Sequence, residues 1–205
     1  MVPTPDEVAE RRRDASREKI LQVAAERLSE HGYGPTSLSD VSMLSGLELT
    51  VVSFHFPTKE DLVEAVLKTG LDHAVAAIGQ ALTQLGPEAT GAERIEIAIG
   101  AYLHAISDQH HMTRANIRCY RSVPPVVRRG LAVYTRAFVR TWTDLLEAGR
   151  ADSSLRSDLD PDVIARMIIA ALNSAVTWMR SADIDRVAEQ FSAALLHGVA
   201  AHPRP

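Results

Sequence analysis

The chain has a single cysteine, Cys119, so no intrachain disulfide can form and nothing supports a secreted, cross-linked scaffold. It lacks a positive balance: the net charge is -4, so any nucleic-acid contact must come from local charge. The first fourteen residues are polar and charged, which argues against a signal peptide and makes the cytoplasm the expected location. The longest apolar run, Val163 to Met179, is interrupted by Arg166 and Asn173 and is short for a bilayer span, so no membrane partner is expected. No stretch alternates in the way a half-buried strand does, and there is no internal repeat. No phosphate loop, zinc motif or nucleophile elbow is present, and Cys119 sits in a helical pattern where packing explains it. An enzyme, a cofactor and a metal are therefore not expected. His104, Asp108 and His111 share a helical face, with His110 adjacent, but no fourth metal ligand accompanies them.

What remains is an ordinary globular composition, 46% apolar and 23% charged, over 205 residues. The pattern is helical throughout. Residues 1–13 carry two prolines and Arg11-Arg12-Arg13 and read as a flexible basic arm. A first helix from Asp14 to His31 has a core stripe at Ile20, Ala24 and Leu28, with Val23 beside it. Gly32-Tyr-Gly-Pro35 ends it. Ser37 caps the next helix with Asp40 three residues on, and Leu38, Val41 and Leu44 are its expected buried face. Gly46 suits the left-handed turn that follows, and Leu49 to Phe56 makes a short third helix. Thr58 and Asp61 start a fourth helix expected to reach about Leu85. Thr90 and Glu93 cap another, followed by a short helix around Met112 to Ser122. Pro124-Pro125 opens a long helix to about Ala148, and 149–158 reads as a loop. Asp160-Pro161 starts a helix that is apolar nearly all round to Met179, and Ile184 to Val199 forms the last.

Two short helices about a glycine turn, then a helix restarted after Pro57, is the layout of a helix-turn-helix DNA-binding unit. Phe56-Pro-Thr-Lys-Glu-Asp-Leu62, Thr36-Ser37, Asp40-Val41, Gly46 and His55 resemble the DNA-binding domain of the TetR/AcrR family of transcriptional regulators. Lys19 to Tyr33 resembles that family's first helix with its closing glycine and aromatic. The resemblance implies an all-α fold. A helix-turn-helix domain at 14–58 would precede a helical ligand-binding and dimerisation domain at 59–205. It also implies contacts to a double-stranded DNA operator from Thr36, Ser37, Leu49, Thr50, Val51, Ser53, His55 and Lys59. Lys59 would hold phosphate at a helix start, and Thr50, Val51 and Ser53 would face the groove.

This chain departs from the family pattern in ways that bear on affinity. Ser53 stands where the family usually has tyrosine, Leu49 where it often has lysine, and Thr50 where it has glycine. Glu48 adds a negative charge at the recognition helix. Residues 1–60 contain seven Lys/Arg against ten Asp/Glu. Affinity scales with the phosphates neutralised, so weak, salt-sensitive or dimer-dependent binding is expected. The third helix has no arginine, asparagine or glutamine for bidentate base contacts, leaving Thr50 and Val51 to meet thymine methyls.

The remaining helices carry more apolar surface than a thin bundle uses, and a ligand cavity between helices is one outlet for it. Leu103, Ile117, Tyr120, Tyr134, Phe138, Trp142, Asn173 and Trp178 are its candidate lining. Asn173, an amide in an apolar helix, is explained first by a hydrogen bond to a neighbouring helix and only then by ligand contact. The resemblance implies a homodimer through the last two helices and a small-molecule effector. Leu159-Asp-Pro161 and Ala171 to Arg180 are similar to a subgroup whose members often sense acyl-CoA esters or lipid-breakdown intermediates. Ser174 and Met179 replace that subgroup's tryptophan and tyrosine. The expected function is a ligand-responsive repressor that binds a palindromic operator and is released by a small apolar or acyl-type effector. The alternative is a helical sensor or interaction protein with weak or lost DNA binding.

Overall fold

The computed structural model describes residues 4–107, 111–179 and 183–199, and those residues form helices joined by short turns, with no strand among them. The helices are α1 (Pro5–His31), α2 (Leu38–Ser45), α3 (Leu49–His55), α4 (Lys59–Leu82), α5 (Gly91–Ala105), α6 (His111–Cys119), α7 (Pro125–Gly130), α8 (Ala132–Ala151), α9 (Pro161–Ser174) and α10 (Ile184–Val199). Their starts follow the expected chemistry. Ser37, Thr58 and Thr90 each accept the amide of the residue three on, and the acid there bonds back to the cap. Asp160 accepts two amides of the first turn of α9.

The differences are instructive. Helix α1 begins at Pro5, not at Asp14, so 5–13 is helical rather than a loose arm; residues 1–3 lie outside the described residues. Thr4 and Glu7 form a capping box, and proline suits a first helical turn because its missing N–H has no partner there anyway. On α2, Ser45 is buried while Leu44 is half in solvent, so the inward face runs from Val41 to Ser45. Helix α4 stops at Leu82, short of Leu85. The single helix expected from Pro125 is broken at Leu131 into α7 and α8. Gly130 sits against the Glu64 carboxylate there, and Leu131 turns fully into the core. Helix α8 continues to Ala151, into the expected loop. Helix α9 ends at Ser174 and one 3-10 turn, Ala175–Thr177, follows. Helix α9 is not buried all round within one chain, since Val163 and Met167 are more than half exposed.

A single buried cluster runs from Ile20, Ala24 and Leu28 of α1, through Leu62, Val66 and Leu67 of α4, to Trp142 of α8 and Ile168 of α9. Each fully buried Leu or Ile contributes about 1.5–3 kcal/mol, so the small N-terminal unit and the larger bundle share one core. Helix α4 carries that continuity, packing on α1 with one end and on α5, α6 and α8 with the rest. Helix α6 fills the angle between α1 and α4. It comes so close to α4 that a Cβ at Gly70 would overlap the Met112 carbonyl.

Gly70→Ala should therefore push α6 off α4 and destabilise the fold by about 1–3 kcal/mol. The check is a lower urea midpoint at an unchanged denaturant slope. A wild-type midpoint would mean the two helices are not held this closely.

Candidate functional site

The DNA-facing candidates sit on α2, α3 and the start of α4. Gly46 takes a left-handed φ of 66°, which lets the chain reverse between α2 and α3. Ser42 Oγ donates to Leu47 O at 2.7 Å and fastens the turn. Leu49 and Thr50 are exposed, Val51, Ser53 and His55 are partly covered, and Val52 is the buried anchor of α3. Phe54, which sequence reasoning did not select, is the most exposed side chain of this helix among the large apolar ones, at 69%. Thr50 Oγ1 donates to Glu48 at 3.2 Å.

Two expected contacts are turned inward. Thr36 is buried and its hydroxyl donates to Gly32 O at 2.9 Å, so its side chain closes the α1 end and cannot meet phosphate in this arrangement. Ser37 uses its hydroxyl and amide on Asp40. Its reciprocal bonds hold the Asp40 carboxyl below the usual carboxylate range. Lys59 lies at the N-terminus of the 24-residue α4, where unpaired amides favour an anion. Its Nζ donates to Gly34 O at 3.2 Å and lies 4.0 Å from the centre of the Tyr33 ring. Tyr33 in turn donates to Glu60 at 2.8 Å. Burial and that carboxylate push the phenol up to about 12, so it remains a donor at neutral pH.

His55 is held below its ordinary 6.5, first by burial and then by the charges of Arg17 and Arg13, with Asp14 opposing them. It is therefore mostly neutral at pH 7, and protonation would bring a third positive charge to this edge.

The larger bundle holds a partly open cavity of about 680 Å³ between α4, α5, α6, α8 and α9. Of the candidate residues, Ile117, Tyr120, Phe138 and Asn173 line it. The other four candidates do not. Leu103 and Trp142 are fully buried in the core behind it, because their helix faces turn toward neighbouring helices. Tyr134 is partly buried outside the cavity lining, and Lys68 Nζ is 4.6 Å from its ring centre. Trp178 is 54% exposed and stacks on Phe191 at 6.2 Å, on a separate groove with Val187. Asn173 Oδ1 accepts from Tyr102 at 2.5 Å, so it makes the helix-to-helix bond and also faces the cavity. The Tyr102 ring packs on Phe138 and Trp142, and burial raises its phenol pKa.

Sequence reasoning missed the polar lining: Tyr102, Thr113, Asn116, Arg121, Thr135 and Arg166. Thr113 and Asn116 are three apart on a short helix, a spacing that puts both on one face and could have served as a signal. Thr135 Oγ1 is buried with no hydrogen-bond partner among the described residues. Past Thr135, Val139 and Arg166 the cavity meets a polar groove of about 430 Å³ between α8 and α9, edged by Arg136, Arg140 and Asp162.

Helix α6 ties this cavity to the N-terminal unit. Asn116 donates to Leu67 O at 2.9 Å and Thr113 to Gly70 O at 3.3 Å, both on α4. On the α1 side, His111 is 3.0 Å from Ser29 Oγ, and buried Cys119 donates to Leu28 O at 3.6 Å. Burial pushes the thiol up to about 11, so Cys119 is a packing group. The histidines on the helical face that includes Asp108 have separate roles: His104 pairs with Asp185 at 3.0 Å while His111 meets α1, and Asp108 and His110 lie outside the described residues. No cluster of three metal-ligating side chains occurs among the described residues, and no helix among them is long and apolar enough to cross a membrane.

Because folded His55 binds its proton less readily than the unfolded chain, the unfolded state takes one up first as pH falls. Stability should drop as pH descends through 6.5. His55→Gln should flatten that part of the stability profile, measured by urea unfolding from about pH 7 to pH 5. An unchanged profile would place the titrating group elsewhere.

Comparison with known proteins places this geometry. A family model described as "Tetracyclin repressor-like, C-terminal domain" matches residues 88–199, and one described as "Bacterial regulatory proteins, tetR family" matches residues 20–66. The HTH-type transcriptional repressor KstR2 of Mycolicibacterium smegmatis is 27% identical over 207 residues, spanning 96% of this chain and 94% of the relative. KstR2 of Rhodococcus jostii is 28% identical over 193 residues, spanning 90% and 91%. Among solved structures, a bacterial regulatory protein in the tetR family from Rhodococcus RHA1 superposes with a TM-score of 0.79 at 22% identity, covering 92% of this chain and 98% of that one. The ketosteroid transcriptional regulator KstR2 of Mycobacterium tuberculosis superposes with a TM-score of 0.72 at 24% identity, covering 91% and 95%. At these identities the structural likeness shows the fold.

Proposed function

The chain belongs to the TetR family of bacterial regulators and is a ligand-responsive DNA-binding regulator, not an enzyme; from that premise we propose that it is a cytoplasmic repressor, binding a palindromic operator as a homodimer and released by an acyl-type or lipid-derived effector. The observation that carries this reading is that the roughly 680 Å³ cavity is walled by α4 and α6, the helices that also hold the N-terminal unit. A ligand that presses on Thr113 and Asn116 acts on the hydrogen bonds that seat α6 on α4. Displacing α4 moves its first turn and the recognition helix α3 beside it. Two recognition helices set for successive major grooves then lose their match.

The lining supports an amphipathic effector. Leu71, Phe138 and Ile169 offer an apolar body space, while Arg121 and Arg166 offer cations to an anionic end. The unpartnered Thr135 hydroxyl, whose burial costs about 1–3 kcal/mol, would gain a partner from a ligand polar group. The adjoining arginine-edged groove fits the phosphates of an acyl-CoA. The relative described as a ketosteroid regulator makes a fused-ring lipid derivative an equally good body.

For the dimer, the support is apolar surface left uncovered within one chain: Val163, Met167 and Trp178 on the last part of the fold, with the Trp178–Phe191 groove on α10. For the operator, the proposed contacts are Leu49, Thr50, Val51, Ser53, His55 and Lys59, with the first-turn amides of α4. Ser37 can add its own contact only by loosening its cap. A second reading, a sensor with little DNA affinity, draws on Ser53 in place of tyrosine and on Lys59 being folded onto Tyr33.

Selection of duplexes from a randomised pool at low salt should enrich a palindrome, and Lys59→Ala should lose it. No enrichment would favour the second reading. Native mass spectrometry should show a dimer carrying a retained small molecule. Ala170→Trp, which puts a ring into the cavity, should keep operator binding and lose release by that molecule. Release unchanged in Ala170→Trp would move the effector out of this cavity.

A further inference from the structure

The N-terminal unit contains more acidic than basic residues, and several of those acids are engaged locally, while Asp14 shares the edge near His55 with Arg13 and Arg17. Glu7 and Asp40 are engaged as capping acids, and Glu60 holds the Tyr33 hydroxyl. The arginines of α1 are arranged differently. Arg13 and Arg17 are four residues apart, so they share one face of the helix. Both point at the recognition helix. The Arg13 guanidinium carbon is 5.9 Å from the centre of the Phe54 ring, and that of Arg17 is 5.4 Å from the centre of Phe56. Both arginines are exposed, and neither has a carboxylate partner within ion-pair distance among the described residues.

Phe54 explains why such an arrangement is useful. An aromatic ring that is 69% exposed on a recognition helix buries little of itself in the fold. As a platform for a guanidinium it restricts a long side chain that would otherwise lose rotamer freedom on binding. Phe56, fully packed at the end of α3, does the same for Arg17 from a rigid base. A guanidinium held over a ring still has N–H donors to offer, and those are what phosphate takes. His55 lies between the two rings and feels both charges.

We propose that Arg13 and Arg17 form a two-cation phosphate clamp, held by Phe54 and Phe56 along the edge of α3, that fixes the recognition helix against the DNA backbone. This rests on the operator-binding reading above and adds a source of affinity that the helix-turn-helix residues themselves lack. It uses the extension of α1 beyond the expected Asp14 start, since Arg13 stands on a helical turn that the Thr4–Glu7 cap makes possible. The contact is to backbone, so it adds affinity evenly across sequences and leaves base preference unchanged.

The test is the salt dependence of binding to a mixed-sequence duplex of about three helical turns, followed by fluorescence anisotropy. Removing one phosphate interaction should lower the slope of log affinity against log salt by about one. Arg13→Ala/Arg17→Ala should therefore lower it by about two per protomer, with thermal unfolding checked separately. Arg13→Lys/Arg17→Lys keeps the charge and guards against misfolding; it should retain most of the slope with weaker binding. A wild-type slope in the alanine pair, with Lys59→Ala still losing affinity, would overturn the clamp and leave the two arginines as packing groups. No binding by the wild-type protein would overturn the operator reading and the clamp together.

Discussion

Asn116 and Thr113 of α6 each donate to a main-chain carbonyl of α4, at Leu67 and Gly70. Those bonds form only because Gly70 has no side chain to hold the helices apart. The cavity and the N-terminal unit meet at this seat. On one side the same Thr113 and Asn116 face the cavity. On the other, His111 and Cys119 meet Ser29 and Leu28 of α1. A close-packed interior transmits displacement rather than absorbing it, so an object placed in the cavity cannot move α6 without addressing both helices that carry the N-terminal unit.

The electrostatics of that unit show why net charge is a poor guide to partners. A count of side chains makes it acidic. In the fold several of the acids are used locally, while Asp14 stays near His55 with Arg13 and Arg17. Glu7, Asp40 and Asp61 satisfy amides at helix starts, where an acid is favoured by the helix dipole. Arg13 and Arg17 on α1 are exposed, whereas Arg27 of the same helix has a buried Nε. Lys59 rests on Tyr33 and Gly34, and must leave that rest to meet phosphate.

Much of this is legible from local chemistry. Caps at Ser37, Thr58, Thr90 and Asp160, and the glycine turn at Gly46, depend on residues a few positions apart, and each stands where the pattern puts it. Thr4 and Glu7 carry the same signature, but the prolines beside them suggest a loose arm. The cavity is legible only in part, because lining is decided by how distant helices rotate against one another. Phe138 and Trp142 are one helical turn apart on α8, yet Phe138 reaches the cavity while Trp142 is sealed behind Tyr102. Asn173 stands out in the sequence by its polarity alone, and its partner, Tyr102, lies seventy-one residues away in the chain. Trp178 needs tertiary information of another kind, since its ring turns onto Phe191 and away from the bundle interior.

On the function proposed above, coupling through α6 would link effector and operator thermodynamically, and linkage is reciprocal. The most direct measurement is the affinity of the retained ligand for the protein alone and for the protein saturated with its operator. Coupling predicts weaker ligand binding in the operator complex, by the same factor by which the ligand weakens operator binding, typically about 5-fold to 150-fold. Equal ligand affinity in the two states would contradict it.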